Sequence, residues 1–469
     1  MLGEHLRYWQ EGRYTRSMNR RSFAFVLLAL CLFSPFVCAL ERQPSSIYQA
    51  RRHSLAEKLQ GGTAIFFANH EPALEYQEYR QDEDFYYLTG WNEPGAALLI
   101  EAAAPAVADP LGGDRPAHGY REVLFLPTRN LRLERYTGVK LDAATPGAAA
   151  SAGVDQVAPL TAMAAELNAA MNSNRRAPVW NEPDSAEAKA LLKVVAGSFG
   201  LADSPASEDV SDLTRELRAI KDPGEMVLLH KAADASVQAQ LAMFHSVHPG
   251  QKERTVEGVI YAALLANGCE RPSYPSIVGS GYNSTVLHYS ADENTMEAGD
   301  VVTVDAAGEY SMYASDITRT LPINGHFSAR QREVYDIVLG AQKAAMDAFV
   351  PGKSRINDPY HRYPDSLDTI AWNYMNAHGK DLHGAPIGKY FIHGIGHLVG
   401  IDVHDPWDYS KPIEKGMVFT IEPGIYIGEE KIGVRIEDTF YADPSGKLVD
   451  LTEALPKQAD AVEAEMRRR

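Results

Sequence analysis

Val301-Val-Thr-Val304 closes on Asp305, and an acidic or imidazole side chain set where an apolar run ends recurs through the last third of the chain. Asp316 follows eleven residues later in Tyr313-Ala-Ser-Asp-Ile-Thr-Arg-Thr320. His393-Gly-Ile-Gly-His397 comes next, then Asp402-Val-His404-Asp405, Thr420-Ile-Glu422-Pro-Gly424 and Val434-Arg435-Ile-Glu437-Asp438. A strand, a turn at Gly308 and a returning strand would bring Asp305 and Asp316 together. Singly, each residue has a plain structural role, since Asp at a strand end caps a turn and Glu before Pro-Gly begins one. Jointly, four carboxylates drawn towards one core repel and lose hydration unless cations neutralise them. Two divalent ions bring +4 against the −4 of Asp305, Asp316, Glu422 and Glu437. An oxygen-rich site with one imidazole suits Mn²⁺, Fe²⁺, Co²⁺ or Zn²⁺, and two ions roughly 3.5–4 Å apart can share a water and lower its pKa.

The remainder of the chain must build a scaffold for that convergence. Its 469 residues, 45% hydrophobic and 23% charged, are those of a globular protein of two domains. The 45 Lys and Arg against 62 Asp and Glu give a net charge of −17, which argues against a nucleic-acid partner. Arg16, Arg20 and Arg21 precede the apolar run Phe23 to Phe33, and Val37-Cys38-Ala39 offers small residues for a signal peptidase. Residues 1–39 therefore read as a signal peptide and the protein as exported, periplasmic or secreted. The uncharged run is short for a membrane span, so no stable membrane insertion is expected after cleavage. A retained anchor is the alternative, and the long leader makes Met18 a candidate start. Cleavage removes five Arg and two Glu, a net +3, taking −17 to −20. Cys31 and Cys38 leave with the signal, so Cys269 has no partner for an intrachain disulfide and reads as a buried small hydrophobe.

From Ser46 to Phe199, apolar runs such as Thr63–Phe67 and Gly95–Ile100 mix with helical stretches such as Leu160 to Met171, which indicates an α/β domain over 40–205. Ala102 to Gly119 and Ala143 to Gly153, rich in Ala, Gly and Pro, read as surface loops, and Gly200 to Asp212 as the linker. Over 206–469, helical spacing is found in Asp212–Ala219, Pro223–Val247 and Thr255–Asn267. Another helix opens at Ser328, with Gln331 completing a capping box, and ends near Pro351-Gly352. Strands are expected at Val301–Val304, Met417–Ile421 and Gly433–Ile436. Helices and strands alternate without a βαβ rhythm, so the fold class is α+β.

These residues resemble a family, the metal-dependent aminopeptidases and prolidases of the pita-bread fold, and within it aminopeptidase P. The likeness extends to Tyr79-Arg-Gln-Asp-Glu-Asp-Phe-Tyr-Tyr-Leu-Thr-Gly90 and Asn92-Glu-Pro-Gly95 in the first domain, and to Ile277-Val-Gly-Ser-Gly281, Asn283 and Leu287-His288-Tyr289 in the second. It implies a smaller α/β domain followed by a pita-bread catalytic domain. It implies two divalent ions, Mn²⁺ foremost and Co²⁺, Fe²⁺ or Zn²⁺ otherwise, with Asp305 on one, Asp316 and Glu437 bridging, and His397 and Glu422 completing the other. A hydroxide between the ions would then attack the peptide bond preceding proline.

The same resemblance places His288, His393 and His404 at the substrate. Arg435, two residues before Glu437, would share a strand face with it and pair with a carboxylate. The implied substrate is a peptide with proline in second position, and the implied assembly is a homo-oligomer, dimer or tetramer. A prolidase taking Xaa-Pro dipeptides shares these metal residues, and a metal-free binding module is the alternative outside enzymology, disfavoured by the intact set of five. The sequence departs from the family pattern at Tyr136, where an aromatic, often Trp, reaches a neighbouring subunit's site. It departs also in the long polar segment Lys353 to Asp368, a lid or a loop. His361, His378 and His383 lie outside the matched motifs and read as surface residues.

Overall fold

A computed structural model of the chain describes residues 40–72, 78–107, 116–174, 179–181 and 210–468, together with 186, 189, 190 and 194. The signal segment and most of the Gly200–Asp212 linker lie outside the described residues, as does the middle of the Ala102–Gly119 loop. Five strands, β1 (Thr63–Phe67), β2 (Ala97–Glu101), β3 (Arg121–Leu126), β4 (Val157–Pro159) and β5 (Val179–Trp180), form the first sheet in the order β4-β3-β2-β1-β5. Its three central strands run antiparallel and the two outer ones pair in parallel. Every residue of β1 and β2 is buried, which is why both read as unbroken apolar runs without alternation. Leu167, Ala170 and Met171 of the helix Met163–Asn174 pack on Ile65, Phe67, Leu99, Val123 and Phe125.

The helix Ser45–Leu59 is fastened by Arg52, fully buried, whose Nε and Nη2 donate to Glu122 at 2.6 and 2.8 Å and whose remaining donors reach the carbonyls of Leu88 and Gly153. The Ala143–Gly153 stretch is not wholly a loop: Ala148–Ala152 forms a short helix with its first and last residues buried. Alanine's high helix propensity prevails there over the flanking Gly and Pro.

The second part is built on four helices, Pro223–Ser246, Glu253–Ala266, Ala329–Ala348 and Leu367–His378. The first and third open with complete capping boxes, Asp222 with Glu225 and Ser328 with Gln331. Between and after them run β6 (Arg271–Pro272), β7 (Ile277–Ser280), β8 (Val301–Asp305), β9 (Gly308–Tyr310), β10 (Tyr313–Ala314), β11 (Thr318–Pro322), β12 (Val418–Ile421), β13 (Gly424–Ile427), β14 (Ile432–Arg435), β15 (Asp438–Ala442) and β16 (Leu448–Asp450). They pair as β11-β8-β7, β12-β15-β16, β10-β9-β6 and the hairpin β13-β14. Val302, Val304, Ile317, Leu321, Phe419, Ile421, Ile436 and Phe440 share one core with Met243, Phe244, Val334 and Val338 of the long helices.

The chain reversal between Asp305 and Asp316 differs from the sequence expectation. Gly308 begins a strand, and the turn falls at Ser311 and Met312, both at positive φ. Glycine is required at 308 for packing, since a Cβ there would meet Cys269 Sγ at 2.4 Å.

Two buried glutamines tie the long helices to the strand ends that matter. Gln240 Nε2 donates to the carbonyls of Ala306 and Ile317, each one residue past Asp305 and Asp316. Gln342 Nε2 donates to the carbonyls of Ile421 and Ile436, each one residue before Glu422 and Glu437. Carbonyls released where strands stop are thereby satisfied without water, and the four carboxylates hang from fixed backbone. Among the described residues no helix is long and apolar enough to cross a membrane.

Candidate metal centre

Cross-strand register places the first acids. Ile277, Asp305 and Thr318 lie side by side on β7, β8 and β11, and an isolated bridge joins Thr318 to Glu437. Oxygens of Asp305, Asp316 and Glu437 fall within 4.8 Å of one another, as do ligand atoms of His397, Glu422 and Glu437, and of Asp316, His397 and His404. The carboxylates of Asp305, Asp316 and Glu437 are buried. His397 and Glu422 come from adjacent segments bound through Thr420, whose hydroxyl accepts from the His397 N–H and donates to Glu422. Gly396 lets that contact form, because a Cβ there would stand 2.2 Å from the Thr420 carbonyl oxygen.

The electrostatics are those of a cation site. Burial, reinforced by Asp316 and Glu422, pushes Glu437 well above the usual carboxylate range. Burial also lifts Asp316 to about 6. Glu422 is drawn down to about 2, its burial outweighed by a hydrogen bond from His397. His397 is raised, hydrogen bonds to Asp316 and Glu422 overcoming its burial, so a proton sits where positive charge is wanted. Its Nε2 lies 3.4 Å from Asp316 and 3.3 Å from Glu422, while Nδ1 faces the Leu398 carbonyl at 3.1 Å. That second bond leaves Nε2 to serve as a ligand. This donor set, oxygen-rich with imidazole and short of positive charge, fits two divalent cations.

Arg435 pairs with Asp305 rather than with its strand neighbour Glu437: Nη2 donates to Asp305 Oδ2 at 2.6 Å, Nη1 to the Tyr426 hydroxyl and Nε to Thr318 Oγ1, each at 3.0 Å. Tyr426 bonds His393 Nε2 at 2.8 Å, and His393 Nδ1 meets the Gly394 carbonyl at 2.8 Å. Burial holds His393 below the ordinary imidazole range. The His404 ring lies 4.0 Å from that of His397, and its pKa is lowered by burial and then by His397. His288 is exposed at the rim. All nine residues singled out in the sequence line one cavity of about 530 Å³.

Residues absent from the sequence reading complete it. The Tyr274 hydroxyl stands 2.6 Å from both Asp305 Oδ1 and Asp316 Oδ1, and its single hydrogen serves one at a time. Tyr274 follows Arg271-Pro-Ser273, and nothing in that local pattern announces the contact. Asn357, from the long polar segment, lines the cavity and donates to the Gly396 carbonyl at 2.8 Å.

His361 departs from the surface reading. It is half-buried, stacks on Trp372 at 4.6 Å and lies 3.4 Å from Asp368, whereas His378 and His383 are exposed. Tyr136 is 82% exposed. The Cys269 thiol is buried and pushed up to about 12, consistent with a packing role. Burial raises Asp368 from 3.8 to about 7, so its contribution to stability is intact below pH 3.8 and lost as pH climbs through 7. Asp368→Asn is therefore expected to match wild type in unfolding free energy at pH 4 and to exceed it by on the order of 2 kcal/mol at pH 8, read as a higher melting temperature there. Equal melting curves at both pH values would contradict that assignment.

Paired carboxylates and an imidazole at the bottom of a cavity lined by further histidines define a class, the metal-dependent hydrolases. The profile described as metallopeptidase family M24 matches residues 227–444, and that of the aminopeptidase P N-terminal domain matches 48–180. A Xaa-Pro aminopeptidase of Escherichia coli strain K12 is 33% identical over 446 residues, 89% of this chain and 97% of that protein. The solved proline aminopeptidase P II from Yersinia pestis superposes with a TM-score of 0.77 at 31% identity, covering 91% of this chain and all of that one. A Xaa-Pro dipeptidase of Pyrococcus horikoshii is 38% identical over 243 residues, only 50% of this chain and 64% of its own length. The chain belongs to metallopeptidase family M24, with the two-domain aminopeptidase P architecture of an N-terminal domain followed by a pita-bread domain.

Proposed function

We propose that this chain is a Xaa-Pro aminopeptidase, which removes the first residue from peptides carrying proline in second position. The observation that carries the reading is the extent of the likeness: Xaa-Pro aminopeptidases match both halves of the chain, whereas the dipeptidase matches half of it. Asp305, Asp316, His397, Glu422 and Glu437 would hold two divalent cations, Mn²⁺ first among them. When bound, such ions supply Lewis acidity, polarising the scissile carbonyl and lowering the pKa of water.

The chain's own groups do the rest. Arg435 neutralises the outer oxygen of Asp305 and orients Tyr426, which donates to His393 Nε2. His393 is thus kept neutral and fixed against the cavity wall. His397 would have to give up its proton to act as a ligand, which would couple cation uptake to proton release and weaken it in acid. His404, neutral near pH 7, faces the centre, so it can take up the proton that the attacking water gives up and return it to the proline nitrogen as that nitrogen leaves. His288, at the rim, holds the peptide. Proline's nitrogen carries no N–H, so shape and ring contacts must replace the backbone hydrogen bond other peptides offer.

The test uses the full chain stripped of metal and reloaded with Mn²⁺, Co²⁺ or Zn²⁺, on matched Xaa-Pro-Yaa and Xaa-Pro peptides. The longer peptide is expected to react faster by about tenfold or more, since one Yaa contact of 1.4 kcal/mol suffices. Cleavage of the dipeptide alone would make the enzyme a prolidase, and no cleavage with any metal would leave a binding module. Export is part of the proposal, supported by the basic start, apolar run and Val37-Cys38-Ala39. A secreted chain beginning at Leu40 is the matching observation, and one retaining residues 18–39 contradicts it.

A further inference from the structure

We infer that the N-terminal domain is a positioning element of the catalytic cavity: Arg80 and Asp84 hold the segment Gly400–Asp405 and, through it, His404. The inference rests on the aminopeptidase reading for its kinetic consequences and on geometry alone for its structural one. Residues 400–405 form no extended strand or helix, and their own backbone ties are few. Gly400 N–H donates to the Asp402 carbonyl, Asp405 N–H to that of Leu398, Ala314 N–H to that of Gly400, and His404 N–H to the Asp402 side chain at 3.1 Å, a tie that lies wholly within the segment.

Two further ties reach this segment from the N-terminal domain. Arg80 Nη2 donates to the Ile401 carbonyl at 2.8 Å, while its Nε is anchored on Glu309 at 2.7 Å and a further nitrogen on Glu83. Asp84 Oδ1 accepts from Arg218 Nη1 at 2.8 Å, and Arg218 Nη2 in turn donates to Asp405 Oδ1 at 2.6 Å. Lys221 takes the other oxygen of Asp405 at 2.7 Å.

Asp84, Arg218, Lys221 and Asp405 are all buried, and their charges cancel. Apolar side chains of like volume would join the two domains at no loss of stability. They would not fix Asp405 by both of its oxygens, one residue from His404. The His404 ring lies 4.0 Å from that of His397, so a small slide of the segment withdraws the imidazole from the centre. Arg80 and Asp84 do not line the cavity, and their tie towards His404 runs through that segment, while Arg80 is also bound to Glu309 of β9.

The experiment is a pair of double-mutant cycles in the full, metal-loaded chain: Arg80→Met and Asp84→Asn, each alone and with His404→Ala. Each single variant is expected to lower kcat on Xaa-Pro-Yaa by about tenfold, with KM within about twofold, and to cause no further loss once His404 is alanine. Arg80→Lys, which keeps a donor, is expected to recover part of the rate. Equal losses in both backgrounds mean a general structural role and overturn the inference, as does undiminished kcat.

A second readout does not depend on turnover. The His404 imidazole NMR resonance, assigned by its loss in His404→Ala, is expected to shift or broaden in Arg80→Met while that of distant His383 stays put. An unchanged His404 resonance overturns the inference even if no peptide is cleaved, the result that would sink the aminopeptidase reading instead. Arg80 is the more exposed of the two and its partner Glu309 keeps Arg271, so its variant is the one expected to fold where the deeper Asp84 variant does not.

Discussion

Asp316→Asn is expected to abolish peptide hydrolysis, by about a thousandfold or more in kcat/KM, and to lower bound metal while leaving the circular dichroism spectrum near wild type. Asp316 belongs to two of the three donor groups, facing Asp305 and Glu437 on one side and His397 and His404 on the other. The amide keeps the carboxylate's shape and can still accept from Tyr274, so the local fold has no reason to change. What it loses is one negative charge from a set of four. Without cations that loss is a relief, because burial and Asp305 already push Asp316 up to about 6. The unloaded variant is therefore expected to melt no lower than unloaded wild type. The rise in melting temperature on adding Mn²⁺ is expected to shrink, since ligation stabilises by mass action only where affinity persists. Metal analysis, calorimetry and peptide assays read the three effects separately. Wild-type turnover with full metal content in this variant would remove Asp316 from the centre.

Arg435→Met is the second large effect, and its origin is different. The guanidinium is buried and raised further above its ordinary range by Tyr426, Asp305 and Glu437 despite desolvation. Removing it strands Asp305 in the core and releases Tyr426 and Thr318. Breaking one side of a buried pair costs about 3–5 kcal/mol, and at about 1 °C per kcal/mol for a chain of this size the melting temperature falls by roughly 4 °C. Activity falls too, because Tyr426 no longer holds His393. Bound cations neutralise Asp305, so the loss of stability is expected to be smaller in the metal-loaded form than in the stripped one. Arg435→Lys should recover part of the stability and less of the activity, since an ammonium cannot reach Asp305, Tyr426 and Thr318 in one plane. Equal melting curves for wild type and Arg435→Met would mean that Asp305 has another counter-charge.

The strands bearing the acids were legible because their burial shows in sequence: Val301–Val304 and Val418–Ile421 lie within unbroken apolar runs that stop on charge. Ser328 with Gln331 announces its helix, because a capping box is a contact between residues three apart. The errors have the same explanation. Ala148–Ala152 looked like a loop because its neighbours are breakers, and the turn was assigned to Gly308 although Ser311 and Met312 take the positive φ. There, packing against Cys269 and not turn geometry selects the glycine.

His361 looked like a surface group because its partners, Trp372 and Asp368, come from the following helix and carry no motif. Tyr274, Tyr426 and Thr318 were missed for a related reason. Each acts as a hydroxyl bonded to residues distant in sequence, and an isolated Tyr or Thr has no local signature.

By itself, then, the sequence determined the chemistry of the centre. Which carboxylates and imidazoles are present, and where each stands relative to an apolar strand, follow from local burial patterns that neighbouring residues express. Only the tertiary structure decided how those groups are charged and held. The row from Asp305 through Thr318 to Glu437, the pairing of Arg435 with Asp305, and the hold of Arg80 and Asp84 on the His404 segment all join residues far apart in sequence. Such contacts arise from register and domain docking, where Coulomb attraction and hydrogen bonding act across space and leave no periodicity along the chain.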